Sequence, residues 1–229
     1  MLQEVFLIKI ISLMNRKPKE TSHKTEPQGE SPDNPELHEE KAVTEQTMSL
    51  WKINLIALAL IPPVTLLLAT PFILLWGFGP LDTTRFLRWE YLVFVVIPGV
   101  IVHEVLHGAG WALFTPKGMR SVKFGFKWQF LTPYCHCKAP LRVPHYAFGA
   151  GLPLLVLGLL PVAAAIITGS GALMLFGLFF TWAAGGDMIA LFHLARLDKN
   201  LLVSDHPDEM GFFIMEDESQ AAGDLSRPQ

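Results

Sequence analysis

The stretch from Tyr91 to Phe114 is apolar and long enough to cross a bilayer, yet three ionisable residues fall within five positions of it, in the order His103-Glu104-Val105-Leu106-His107. Each such group costs roughly 2.5–3.5 kcal/mol to insert near the middle of a membrane helix, and groups kept there at that cost are usually functional. A helix places residues four apart on one face, so His103 and His107 can share one metal ion. Glu104 lies one residue round from the first imidazole, where a carboxylate can take a proton from a metal-activated water. This H-E-x-x-H spacing is the pattern of zinc hydrolases. The alternative, a helix whose His and Glu pair with polar groups on neighbouring helices, explains the burial but not the spacing.

About half of the 229 residues are hydrophobic, an ordinary share for a soluble domain, but they are concentrated after Leu50. The expected fold is an all-α membrane protein with about four transmembrane helices, over 50–76, 91–114, 146–167 and 172–194. A small cytoplasmic β-hairpin is expected in the loop 115–144, and the N-terminal tail is expected to be disordered. The corresponding division is a tail at 1–49, a membrane domain at 50–197 and a cytoplasmic C-terminal tail at 198–229. Trp51 and Trp76 flank the first span as interfacial anchors. Pro62, Pro63 and Pro71 within it suggest kinks. Pro98-Gly99 stands one turn before His103, where a break in the hydrogen-bond ladder would aim the ligands. The third span is rich in Gly and Ala, which favours close helix contact.

Residues 1–14 are too short to span and lack the features of a signal peptide. They read as an interfacial helix or as an over-extended start with Met14 as the initiator, the second being preferred. From Asn15 to about Gln46 the composition is too polar to offset chain entropy. In the loop, Ser121 to Trp128 alternates polar and apolar residues as a strand does. Thr132-Pro133 offers a turn and Tyr134 to Lys138 a return strand. Gly211 to Met215 is a further possible strand, and Asp205-His206-Pro207-Asp208 reads as a turn.

The loop between spans one and two carries two Lys or Arg, the next loop six, and the third none. The positive-inside rule then puts both termini and the hairpin in the cytoplasm, with the plasma membrane as the expected location. Cys135 and Cys137 cannot build a disulfide framework, and free thiols fit a reducing compartment. Cys135-His136-Cys137 lacks a partner pair for a second metal and reads as plain strand. His145 and His193 read as interfacial. A net charge of -3 with no basic face gives no sign of nucleic-acid binding.

Orientation supplies a third ligand. Spans two and four run the same way. His107 lies about 11 Å before the end of its span and Asp187 about 13 Å before Arg196, so the two groups share a depth. Catalytic zinc takes three protein ligands, and Asp187 is the lone acid of span four. Gly185-Gly186 before it suggests that the helix loosens there or that another backbone comes close.

The motif HEVLHG, the basic loop, the small-residue span and GGDMIALFHLARLDKNLLVSDHP together resemble a family of predicted membrane zincin peptidases, similar to compact relatives of the site-two intramembrane metalloproteases. The resemblance covers about Trp89 to Ile214. Site-two proteases typically place the third-ligand aspartate before a glycine, whereas here the glycines precede Asp187. The resemblance implies that His103, His107 and Asp187 bind Zn2+ and that Glu104 is the catalytic carboxylate. It implies hydrolysis of peptide bonds in membrane or membrane-proximal proteins, with the lipid bilayer as the other partner. A metal or proton transporter, or a non-catalytic membrane partner protein of the same fold, is the alternative; an intact Glu104 weighs against the latter.

Overall fold

In the computed structural model, the described residues are 43–47, 50–82, 84, 88–128, 132–205 and 211–215. In chain order the elements are β1 (Val43–Thr47), α1 (Leu50–Trp76), α2 (Trp89–Ala112), β2 (Val122–Lys127), β3 (Thr132–Cys137), β4 (Leu141–Arg142), α3 (Val143–Thr168), α4 (Gly171–Ala183), α5 (Gly185–Leu194), β5 (Leu202–Asp205) and β6 (Gly211–Met215). Three helices, over Trp51–Trp76, Trp89–Ala112 and Val143–Thr168, are long and apolar enough to cross a membrane. The fourth expected span is a bent pair, α4 and α5, meeting at 56°.

Proline placement accounts for several local features. α1 runs through Pro62, Pro63 and Pro71 without a break. π-helical turns interrupt α2 at Leu92–Val96 and α3 at Leu154–Leu159. Each lies just before a proline, Pro98 or Pro161, whose ring displaces the carbonyl of the preceding turn and whose missing N–H leaves that carbonyl unpaired. The opening expected near Pro98 is thus a π turn ahead of the motif, and His103 and His107 sit in regular α-helix. α3 starts at Val143 rather than Tyr146, because Pro144 fits the first helical turn, where no N–H is needed.

The hairpin forms from β2 and β3, with Phe124 opposite Cys135. Thr132-Pro133 does not make the turn; it opens β3. The physical reason lies in the phase of the strand. Cys137 N–H points away from β2, to Asp205, while Lys138 N–H points back to Ser121 O. Alternate residues bond the partner strand, so Pro133 shares the outward phase of Cys137 and its missing N–H removes no ladder bond.

A second sheet exceeds what the sequence suggests. Its order is β1-β6-β5-β4, all antiparallel. β6 is the strand expected at Gly211–Met215. β1 falls inside the segment read as a disordered tail, and this corrects the tail's boundary: Val43–Thr47 pairs with Met215–Gly211, and backbone pairing with a distant strand supplies what composition does not. The readings placed on residues 1–42 and on His206–Asp208 lie outside the described residues. The sheet draws strands from before α1, between α2 and α3, and after α5. All three chain segments therefore meet at one end of the helical layer.

That end holds one core, in which Trp111, Cys137, Leu141, Tyr146, Leu194, Val203 and Phe212 pack together. The other end is closed by Phe72, Val162, Ala165, Met174 and Leu178. α2 and α3 pack through glycine: a Cβ on Gly110 would lie 2.7 Å from Gly149 Cα, so only hydrogen atoms fit between them.

Candidate metal centre

The two imidazoles stand one turn apart on α2, edge to face with centroids 4.9 Å apart. Both residues are buried, 9% and 7% exposed. α5 brings Asp187 to them. Its Oδ2 lies 3.2 Å from His103 Nε2 and its Oδ1 3.4 Å from His107 Nε2. One ligand atom from each residue falls within 4.8 Å of the others.

The break between α4 and α5 makes this approach possible. It puts Asp187 in the first turn of α5, directly after Gly185 and Gly186. A Cβ on Gly185 would sit 2.7 Å from Ala57 Cβ on α1, whereas one on Gly186 meets only Ile53 Cγ2 at 3.9 Å. Both reasons expected for the glycine pair hold: the helix breaks, and another backbone comes close.

The hydrogen bonds show whether a cation fits. His107 Nδ1 lies 3.0 Å from the carbonyl of Gly149, which can only accept, so Nδ1 carries the proton. In the neutral ring Nε2 then presents a lone pair toward a carboxylate oxygen, an arrangement that needs a positive charge between them. Buried polar atoms are normally paired, yet Asp187 Oδ2 and His103 Nδ1 have no hydrogen-bond partner. Two imidazole nitrogens and a carboxylate oxygen suit zinc. Ligands about 2.1 Å from a tetrahedral ion lie about 3.4 Å apart, which matches the 3.2 and 3.4 Å observed.

Glu104 follows His103 on the helix, and its carboxylate faces the backbone N–H of Cys135. β3 therefore runs past the motif. Gly108, the residue after His107, lets it in: a Cβ there would lie 2.5 Å from Phe124 Cζ and 3.2 Å from Cys135 Sγ. Burial raises the Cys137 thiol to about 11 and the Cys135 thiol further. No second group of three metal-ligating side chains occurs among the described residues. His145 stacks on Phe114, with centroids 4.3 Å apart, and His193 Nδ1 bonds Ile189 O at 2.8 Å, so neither joins the cluster.

Asp205 is the residue whose role sequence reasoning missed. Expected in a turn, it ends β5 with its side chain only 9% exposed. Its Oδ2 accepts from Cys137 N–H at 2.7 Å and lies 3.5 Å from His136 Nδ1, and its Oδ1 accepts from the Tyr146 hydroxyl. Burial raises its carboxyl above the ordinary aspartate range. Nothing local marks it, because its hydrogen-bonding partners lie 59 and 68 residues away.

Residues 93–202, just under half of the chain, match the model of a family described as "Putative zincin peptidase". The match spans the motif, the hairpin and Asp187. A zincin peptidase is a zinc-dependent hydrolase. Neither a curated protein nor a solved structure matches the chain.

Proposed function

We propose that this chain, whose residues 93–202 match the zincin peptidase family model, hydrolyses peptide bonds of membrane or membrane-proximal proteins from a multi-pass membrane domain. The observation that carries the proposal is the convergence of His103, His107 and Asp187 beside Glu104 on helices apolar enough to lie in a bilayer. His103 Nε2, His107 Nε2 and a carboxylate oxygen of Asp187 would hold the metal. Zinc held there supplies Lewis acidity, which acidifies water and polarises a carbonyl. Glu104 accepts the proton of the attacking water on its carboxylate and returns it to the leaving amine. His107 is kept in the ligating tautomer by Gly149 O.

Among the described residues the hairpin has two strands, so the outer edge of each carries no further strand. An extended substrate segment added to the β3 edge would bring its peptide bond beside Glu104.

The shared sheet supports a topology in which both termini and the hairpin lie on one side. β1 is separated from β4 by two helical crossings, and β4 from β5 by α3 and the bent pair taken as one more crossing. The six Lys and Arg of 115–144 favour the cytoplasm for that side.

The test is Glu104→Gln in detergent-purified protein, with zinc content measured beside cleavage of a tagged membrane substrate. The expected outcome is an undiminished zinc content with cleavage reduced by about 10²–10⁴-fold. A fully active variant would refute the mechanism, and metal-dependent uptake into vesicles without cleavage would favour a transporter.

A further inference from the structure

We propose that Asp205 is a positioning residue for the metal centre, acting on Glu104 through strand β3 and on His107 through a column of stacked rings. The inference rests on the peptidase reading for its effect on catalysis, and on geometry alone for its effect on the metal.

A buried carboxylate is costly unless donors surround it. The donors of Asp205 come from two elements, Cys137 N–H on β3 and the Tyr146 hydroxyl on α3, and the His136 ring lies 3.5 Å away. The side chain therefore bolts β5 to the hairpin and to the helix behind the site.

On the hairpin side, Cys135 and Cys137 share the outward phase of β3. Their N–H groups are consecutive donors on one strand edge, about 7 Å apart. The first faces the Glu104 carboxylate and the second donates to Asp205. A strand is stiff along its length, so releasing it at Cys137 shifts the N–H that faces Glu104. On the helix side, Tyr146 stacks on Trp111 with centroids 5.2 Å apart, and Trp111 stacks on His107 at 5.3 Å. Trp111 Nε1–H also donates to the Tyr146 carbonyl at 2.9 Å. Asp205 thus anchors one end of a three-ring column whose other end is a metal-binding imidazole.

The experiment compares Asp205→Ala, Asp205→Asn and Tyr146→Phe with wild type. Zinc affinity is read by chelator competition, the ligand field by Co2+ absorption, and cleavage as kcat and KM separately. Asp205→Ala is expected to bind about one zinc per chain with affinity lowered roughly tenfold, to shift the Co2+ spectrum, and to lower kcat with little change in KM. Asp205→Asn, which can still accept from Cys137 while a rotated Tyr146 hydroxyl accepts from it, is expected to recover most of both losses. Tyr146→Phe keeps the stacked ring but removes the hydroxyl that ties it to Asp205, and it is expected to reproduce the affinity loss with a smaller loss of kcat. On a Glu104→Gln background the kcat effect of Asp205→Ala should shrink to that of Tyr146→Phe while the affinity effect persists.

Wild-type affinity and an unshifted Co2+ spectrum in both Asp205→Ala and Tyr146→Phe would overturn the proposal. If Asp205→Ala does not fold, Asp205→Asn and Tyr146→Phe decide it by the same readouts. If wild type binds zinc but cleaves nothing, the peptidase reading fails, and the affinity and spectrum still decide the positioning role.

Discussion

Gly149→Ala adds one methyl group to α3 and should damage the metal centre without touching a ligand. The new Cβ would lie 2.2 Å from Trp111 Cδ1, 2.4 Å from its Nε1 and 2.7 Å from its Cγ. Ordinary carbon contacts lie near 3.5 Å, so something must yield by more than about 1 Å. Trp111 cannot swing aside easily, because it is stacked between His107 and Tyr146 and donates to the Tyr146 carbonyl. Nor can α3 retreat without loss, since the Gly149 carbonyl is the acceptor for His107 Nδ1. Overpacking costs about 1–3 kcal/mol, and a buried donor left unpaired costs about 1–3 kcal/mol more. The gain in helix propensity returns only about 1 kcal/mol. The net expectation is a destabilisation of about 1–5 kcal/mol and, through His107, a 10–100-fold loss of zinc affinity. Gly151→Ala is the control, two residues away on the same helix. Its Cβ would meet Leu191 Cδ1 at 3.5 Å, an ordinary contact, so this variant should be neutral or slightly stabilising. Thermal unfolding in detergent and chelator competition measure both variants. Equal behaviour of the two would refute the reasoning, since they differ only in what the methyl group meets.

His103→Ala and Asp187→Ala should each lose the roughly one zinc per chain of wild type by elemental analysis; full metal content in either would remove that residue from the ligand set. Gly185→Ala, whose Cβ would press on Ala57 at 2.7 Å, should lower thermal stability by about 1–3 kcal/mol, while Gly186→Ala should not. Wild-type melting of Gly185→Ala would mean that α1 and α5 are not packed as described. Raising a thiol from its ordinary value to about 11 lowers its thiolate fraction at pH 8, so Cys137 should alkylate about a hundredfold more slowly in the folded protein than in SDS. Cys135, raised further, should be slower still; labelling at the rate of a free thiol would place the hairpin elsewhere.

What the sequence made legible was what spacing along the chain controls. His103 and His107 meet because they are four apart on a helix, and this is fixed before any tertiary contact forms. Asp187 was reachable by a longer step, equal depth in parallel spans, because an apolar span offers no rival acid. The strands of the hairpin followed from alternation. Its turn was misplaced because proline also fits a strand where its N–H would face away from the partner, as Pro133 does on β3. The break at Ala184 was visible only as a pair of glycines, whose partner, Ala57, belongs to another helix.

The residues that escaped notice are those whose meaning lies in a distant partner. Val43–Thr47 is polar enough to read as tail, and it becomes a strand because the edge of β6 satisfies its backbone. Asp205 sits in a stretch rich in turn-forming residues, and it is a buried anchor because Cys137 and Tyr146 turn donors toward it. Glu104 joins the two kinds of residue. The proposal that it is the base follows from local spacing, while the backbone N–H that faces it is on β3, 31 positions along the chain, in a strand that Asp205 ties down. A substitution that leaves the H-E-x-x-H motif intact can therefore still misplace Glu104, provided it loosens β3. This is why Asp205 and Gly149, neither of them a ligand, are sharper tests of the site than a further change within the motif.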